Sequence, residues 1–535
     1  MMARITIDDR EVEVPEGSTV LHAARKLGID IPTLCYFEGC RPQTSCLVCV
    51  VKVDGNPNLV PSCAMPVQDG MKVESETKEV HAVRKTALEL ILSDHHGDCL
   101  APCNTTCPAH MEIPQMLRQV AAGDLRGALM TIKRDIALPA VLGRVCPEVC
   151  ERSCRRGTLD HPAAICMVKR YVADADLSSK DPYIPEKKPA TGKRVAVVGS
   201  GPAGLAAASY LLQDGHAVTI FDHHEKPGGA LRYTVPESKL PRDVLDAEIA
   251  TIVQLGAELR MKTRIGSDIS FDDLRKQFDA VFLAIGELKA GEAEALGFAA
   301  PDHKVPVSHT TLETQIKGVF AGGDMVRRRK LAVRSIADGK LAAVSIGQYL
   351  AGKEITGESQ KFVSKMGRLE RDEVTHLICG GCNTGDRNKP CGGGSCGFNP
   401  EEAKAESLRC IHCDCRKKDD CRLRDYADAY GCSQTRYKGT QRVLEPLREG
   451  RDVIYEPGKC IACGLCIQIA GDAKEELGLT YIGRGFNVHV SVPFNGTLSE
   501  GLKKAAAECC RACPTGALAL RTEIEAGFYP WEKGR

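Results

Sequence analysis

Alternating apolar and polar positions open the chain. In "ARITIDDREVEV" the alternation breaks at Asp8-Asp9, which predicts two strands joined by a tight turn. "GSTVLHAARKLGI" changes to helical spacing, with Ser18 or Thr19 as N-cap. In "VRKTALELILSDHHGDC" the apolar positions Ala87, Leu88, Leu90, Ile91 and Leu92 predict a mostly buried helix. A short apolar run, Val195–Val198, reads as a buried strand. A small-residue helix follows it, and then a second strand, Ala217–Phe221. Ser335–Ala343 begins another helix. The segment "DLSSKDPYIPEKKPATGK", rich in Pro, Ser and Lys, marks a boundary near residues 180–192. After residue 353 the pattern is irregular and cysteine-dense, and no internal repeat is found.

Composition narrows the classes. A chain of 535 residues is too long for one core, so several domains are expected. The net charge of +1 gives no global field for nucleic acid or an acidic membrane. The outlier is cysteine, with 27 residues. The N-terminal segment has early acids and no apolar stretch of the secretory kind. No run of about 18 apolar residues suggests a membrane span. The chain therefore reads as cytoplasmic, where clustered cysteines bind metal more often than they pair as disulfides. Zinc stays open for individual sites. Iron–sulfur clusters fit better beside a dinucleotide motif, because they carry electrons and zinc does not.

The first cysteines are spaced Cys35-x10-Cys46-x2-Cys49-x13-Cys63, with a longer first gap than the plant-type pattern. Residues 1–80 resemble the N-terminal 2Fe–2S domain of the large iron–sulfur subunit of respiratory complex I and of iron-only hydrogenases. That resemblance implies a 2Fe–2S cluster on those four residues, with Cys40 a spare thiol. His95-x3-Cys99 matches the start of the same family's histidine-plus-three-cysteine motif, but the gaps that follow depart from it.

From Cys99 onward, "CNTTCPAHMEIPQMLRQVAAGDLRGALMTI" and "LGRVCPEVCERSC" resemble another family. It is the N-terminal helical domain of the glutamate synthase small subunit and of dihydropyrimidine dehydrogenase. That resemblance implies two 4Fe–4S clusters within residues 81–180. The first takes His95, Cys99, Cys103 and Cys154. The second takes Cys107, Cys146 and Cys150, with a fourth ligand from "AICMVKRY". The family places glutamine or glutamate where Lys169 stands, so Cys166 is assigned instead. A histidine ligand would raise that cluster's potential. The alternative is that His95 or His96 caps a helix or lies exposed.

Residues 190–352 carry the dinucleotide signal, Gly199-x-Gly201-x-x-Gly204, between a strand and a helix. Gly199 allows the tight turn, Gly201 lets backbone approach a pyrophosphate, and Gly204 permits helix–strand contact. Pro202 and Ala203 start the helix whose N-terminus faces phosphate. Asp222, after the second strand, stands where an acid binds ribose hydroxyls. "GGALRYTVPESKLPRDVLDAEI", with Gly229, "DAVFLAIG", ending at Gly286, and "GVFAGGDMVRRRKLAVRSIADGKLAA" resemble the glutamate synthase flavin domain. The resemblance implies FAD, with Gly323 and Asp324 at its ribityl–phosphate region. The family inserts an NADPH-binding domain where only Glu287–Lys317 stands here, without a second glycine motif, so that domain is expected to be missing. "RRRK", Arg327–Lys330, is either a solvated basic turn or a contact for flavin phosphates or an acidic partner.

Residues 353–450 hold two cysteine groups. Cys379, Cys382, Cys391 and Cys396 suit zinc or a further cluster equally. Cys410, Cys413, Cys415 and Cys421 resemble a 4Fe–4S motif found behind some flavoproteins of this type. In residues 451–535, Cys460, Cys463 and Cys466 with a distant Cys513-Pro514 resemble a bacterial ferredoxin half with one complete cluster. Cys432, Cys509 and Cys510 remain unassigned.

The expected fold class is multidomain α/β and α+β: a β-grasp ferredoxin, a helical iron–sulfur domain, a Rossmann-like FAD domain and a C-terminal ferredoxin-like domain. FAD, one 2Fe–2S cluster and about four 4Fe–4S clusters imply an oxidoreductase subunit that relays electrons. Its expected partners are a complex I-like NADH/FMN subunit, a hydrogenase or formate dehydrogenase subunit, and ferredoxin. Two alternatives stand: a self-sufficient NADPH-dependent reductase, and an assembly subunit whose FAD does not turn over.

Overall fold

The computed structural model describes every residue except Met1, Ala290, 300–303, Arg328, Arg329, 379–381, Thr384, Gly394, Ser395, Lys438 and 522–535. The described residues form two compact units. One comprises Met1–Ala101, Lys361–Gly381 and Ile411–Arg535; the other comprises Pro102–Gln360 and Cys382–Cys410. The second is thus an excursion of the chain out of the first. The segment 353–450, read from sequence as one cysteine-rich region, is divided between them.

In the first unit, β1 (Met2–Ile7) and β2 (Arg10–Pro15) pair antiparallel. Asp8 and Asp9 both adopt positive φ, 45° and 62°, the two-residue turn whose twist suits a hairpin. Helix α1 (Val20–Lys26) is capped by Thr19, whose hydroxyl accepts from the His22 N–H. Strands β3 (Val50–Val53), β4 (Val60–Pro61) and β5 (Lys72–Glu74) complete a sheet of order β2-β1-β5-β3-β4. Alternate residues Ile5, Ile7, Val12 and Val14 pack against Val20, Leu21 and Ala24 of α1.

Helix α2 (Lys78–Ser93) buries Val80, Arg84, Leu88 and Leu92, a four-residue stripe, and also Glu89. Leu90, expected inside, falls off that stripe and is exposed. The fully buried Arg84 donates to Val50 O at 2.9 and 3.1 Å and to the Tyr430 hydroxyl at 3.0 Å, so its charge is solvated by protein oxygens.

The second unit opens with helices α3 (Pro102–Thr106), α4 (Ile113–Ala122), α5 (Leu125–Asp135), α6 (Pro139–Val145), α7 (Val149–Arg152) and α8 (Ile165–Leu177). An extended stretch matching the Pro/Ser/Lys-rich linker leads to a five-stranded, all-parallel sheet: β6 (Arg194–Val198), β7 (Ala217–Phe221), β8 (Glu258–Arg260), β9 (Ala280–Leu283) and β10 (Val319–Ala321). Its order, β10-β9-β6-β7-β8, reverses direction between β6 and β9. This is a doubly wound sheet with its switch point beside β6. Helices α9 (Pro202–Gln213), α10 (Ala230–Tyr233), α11 (Arg242–Gln254), α12 (Phe271–Gln277) and α13 (Ala332–Leu350) accompany it. Between β9 and β10 the described residues contain a single short helical turn, Glu294–Leu296, and no strand.

The chain then returns to the first unit. Val453–Tyr455 pairs with Arg448–Glu449 and Leu518–Leu520, and this small sheet shares a core with helices Leu465–Asp472 and Ala506–Ala512. Among the described residues, no helix is long and apolar enough to cross a membrane.

Candidate functional site

Thiols gather at several separate places. In the first unit, Cys35, Cys46, Cys49 and Cys63 are all buried. Cys35 and Cys46 lie 3.3 Å apart, sulfur to sulfur. A hydrogen bond from Cys46 lowers the Cys35 thiol, and one from Cys63 lowers Cys49. In each pair the hydrogen bond lowers one thiol and raises the other, Cys46 or Cys63, and four sulfurs gathered in this way suit a cluster site.

The residues of the quartet read around His95 fall in different units. His95 and Cys99 belong to the first unit, whereas Cys103 and Cys154 belong to the second. Within the first unit, Asp98 and Asp414 form a parallel bridge, and the Cys415 N–H donates to Cys99 O at 3.4 Å. This join sets Cys99 beside Cys415. Burial, then the charges of Cys415, Cys99 and Cys513, push the Cys421 thiol up. The set Cys410, Cys413, Cys415, Cys421 is likewise divided, Cys410 falling in the second unit.

Other residues prepare this place. Ser364 holds Cys99 through its N–H at 3.4 Å and its hydroxyl at 3.2 Å, and its hydroxyl also donates to Gly97 O. His95 is buried, and its Nδ1 has no hydrogen-bond partner. Burial first, then Lys459, lowers its pKa to about 3. A neutral imidazole with an orphaned buried nitrogen is suited to metal ligation. Lys459 is itself buried, but it pairs with Glu456 at 2.8 Å, as Arg416 does at 2.9 Å.

In the second unit, Cys107, Cys146, Cys150 and Cys166 surround Lys169. The ammonium lies 3.9 Å from Cys166 Sγ. Burial lowers its pKa, but the charges of Cys166, Cys146, Cys150 and Cys107 outweigh burial and raise it. Cys146 and Cys166 share a hydrogen bond that raises the Cys146 thiol. Glu151 anchors the start of α8 by accepting from the Cys166 N–H at 2.9 Å and pairs with Arg387 at 2.7 Å.

Cys460, Cys463, Cys466 and Cys513 line one cavity in the first unit together with Tyr455 and Val490. Burial, then Cys460, Cys463 and Cys513, raises the Cys466 thiol. The spare thiols Cys509 and Cys510 are buried in the adjoining core, with Cys40 packed against it. Cys432 is half-buried, and burial followed by Glu89 raises it to about 11. Of the remaining group, Cys382 donates to Cys410 O at 3.5 Å, while Cys391 and Cys396 are exposed and Cys391 donates to Glu402. Cys379 lies outside the described residues, as do Arg328 and Arg329 of the basic turn.

The dinucleotide crevice forms at the sheet's switch point. Gly199 has φ 107°, and a β-carbon there would stand 2.3 Å from Ala284 O just past the end of β9. A β-carbon on Gly204 would meet Gly199 O at 1.9 Å. Gly201 faces open space, and no side chain caps α9, so the helix's first N–H groups are left for an anion. Asp222 accepts from Ser200 N at 2.8 Å, Ser200 Oγ at 2.6 Å and His224 Nδ1 at 2.8 Å. Burial would raise this carboxyl, but the bonds from Ser200 and His224 prevail and lower it. Gly229 packs against Gly201, and Gly286 adopts φ 86° just after β9. The Gly323 N–H donates to the buried Asp338 at 3.0 Å, while burial raises the half-buried Asp324 beside it. Asp338, Ser364 and Lys459 escaped the sequence reading. Each is defined by a partner distant in sequence, and a charged residue inside a cysteine-rich or small-residue segment was the one available sign.

Family models match three stretches of the chain. A 2Fe–2S iron–sulfur cluster binding domain matches residues 1–78. A domain described as dihydropyrimidine dehydrogenase domain II, 4Fe–4S cluster, matches 77–181. An NAD(P)-binding Rossmann-like domain matches 197–259. The NADP(+)-dependent formate dehydrogenase subunit beta of Moorella thermoacetica is 37% identical over 257 residues, covering 42% of this chain and 36% of that protein. The glutamate synthase (NADPH) small chain of Bacillus subtilis is 36% identical over 211 residues, 39% of this chain and 42% of that protein. The NAD-dependent dihydropyrimidine dehydrogenase subunit PreT of Salmonella typhimurium is 36% identical over 189 residues, 35% of this chain and 45% of that protein. The chain thus spans under half the length of each of these oxidoreductase subunits. It is a mosaic in which a 2Fe–2S domain and a dihydropyrimidine dehydrogenase-type 4Fe–4S domain precede a Rossmann-like domain that fits a flavin dinucleotide.

Proposed function

We propose that the chain is an electron-transfer subunit of a multi-subunit oxidoreductase, carrying FAD and a series of iron–sulfur clusters. The observation that carries this reading is the gathering of buried and half-buried thiols into separate groups in a chain that also has a Rossmann-like crevice. Bound there, clusters exchange single electrons and FAD exchanges one or two.

In this reading Cys35, Cys46, Cys49 and Cys63 hold the 2Fe–2S cluster in a β-grasp ferredoxin. His95, Cys99, Cys415 and Cys421 hold a 4Fe–4S cluster. Cys107, Cys146, Cys150 and Cys166 hold another in the helical domain, and Cys460, Cys463, Cys466 and Cys513 a third in the ferredoxin-like domain. Asp222 binds the adenosine ribose of FAD, the N-terminus of α9 holds its pyrophosphate, and Gly323 and Asp324 meet its ribityl chain. The chain's own residues exclude water from the sulfurs and fix the ligands. The partners are a flavin-bearing NADH subunit, ferredoxin and a terminal subunit of the hydrogenase or formate dehydrogenase kind, in the cytoplasm.

With no strand among the described residues between β9 and β10, the nicotinamide nucleotide is assigned to a partner. Anaerobic mixing tests this. The full chain with its iron and flavin is expected to bleach with reduced ferredoxin and to stay oxidised with NADPH alone. Rapid bleaching by NADPH would replace this reading with a self-sufficient reductase.

A further inference from the structure

We propose that Lys169 is a fixed counter-cation that raises the reduction potential of the iron–sulfur cluster held by Cys107, Cys146, Cys150 and Cys166. The inference rests on that ligand reading and goes beyond it.

A buried cation needs a compensating charge. Lys169 is 3% exposed. Its ammonium has a cysteine sulfur at 3.9 Å, and among the described residues no carboxylate lies within ion-pair distance of it. The nearby acid, Glu151, spends its carboxylate on the Cys166 N–H and Arg387. The four thiols are therefore the compensating charge. Lys459, equally buried near Cys415 and His95, differs in having a carboxylate partner, Glu456 at 2.8 Å, which it shares with Arg416.

A cluster on four thiolates carries net negative charge, and one-electron reduction adds to it. An adjacent ammonium favours the reduced form, and an N–H···S contact acts in the same direction.

The test uses the full chain, purified anaerobically, with Lys169→Met, Lys169→Arg and Cys166→Ser variants. Iron content and potentiometric titration followed by EPR are read on each. Lys169→Met is expected to keep the wild-type iron and to need at least a tenfold shift of the reduction equilibrium to reach the same signal, about 59 mV lower for one electron. Lys169→Arg is expected to stay near wild type. An unchanged midpoint in Lys169→Met overturns the proposal. If Lys169→Met loses this cluster's iron, retention in Lys169→Arg supports the counter-cation, whereas loss in both shows a packing role and overturns it. Cys166→Ser separates the two readings: wild-type iron and an unaltered signal in that variant remove the ligand assignment itself, whatever Lys169 does.

Discussion

A β-carbon on Gly516 would stand 2.3 Å from Cys415 Sγ. No side chain tolerates such an approach, and Cys415 is buried and cannot swing clear. Gly516→Ala is therefore expected to cost the chain about four irons, the complement of one cluster, with flavin content unchanged; iron and flavin analysis of the purified variant checks it. Glu248 offers a second residue-scale prediction. Its carboxylate accepts from the Ala140 and Val141 N–H groups at 2.9 and 2.8 Å, and burial raises its pKa to about 7. The unfolded chain releases this proton near 4.5, so between about 4.5 and 7 the folded state binds more protons. Stability then falls as pH rises through that window, by on the order of 3 kcal/mol. Glu248→Gln is expected to flatten this slope, read as the thermal midpoint against pH. Neither residue was legible in the sequence. Gly516 sits in a Cys-Pro-Thr-Gly turn that looks generic, and Glu248 is one acid on an ordinary amphipathic helix until the start of α6 is placed over it.

At the scale of elements, α9 and α13 pack closely because both carry small residues. A β-carbon on Gly339 would lie 2.3 Å from Ala203 O. Gly339→Ala is expected to push α13 off α9, disturb the Gly323–Asp338 hydrogen bond beyond it and lower the flavin bound per polypeptide at least twofold, measured by visible absorbance. Here the sequence was informative. The β6 turn, the start of α9 and β7 follow from local pattern, because a glycine-rich turn between a strand and a helix is a contiguous device. The β1–β2 hairpin was legible for the same reason. Leu90 was misplaced because it lies in an apolar-rich stretch, Ala87–Leu92, while the buried stripe of α2 runs through Val80, Arg84, Leu88 and Leu92 instead. A buried arginine on that stripe defeats a reading by hydrophobicity alone.

Over the whole molecule, the grouping of Cys99 with Cys415 and Cys421 follows from the chain's excursion. Cys415-x5-Cys421 was visible in the sequence but was read as part of a neighbouring quartet, since spacing rules assume that ligands follow one another along the chain. An inserted unit breaks the spacing while its two ends still return to the same place, as the Asp98–Asp414 bridge records. The proposed ligation predicts that His95→Ala, Cys99→Ser and Cys421→Ser each remove or alter the same EPR signal, and that Cys154→Ser leaves that signal unchanged. If Cys99→Ser and Cys154→Ser remove one common signal, the grouping fails.

That excursion also orders events on the ribosome. Ile411–Arg535 emerges after Pro102–Gln360, yet it completes the unit that Met1–Ala101 begins. At ordinary elongation speeds the nascent N-terminal half waits on the order of tens of seconds for its missing strands and thiols. A message cut short inside the second unit would release His95 and Cys99 without their counterparts. Iron delivered to that place thus reports that translation has passed Cys421.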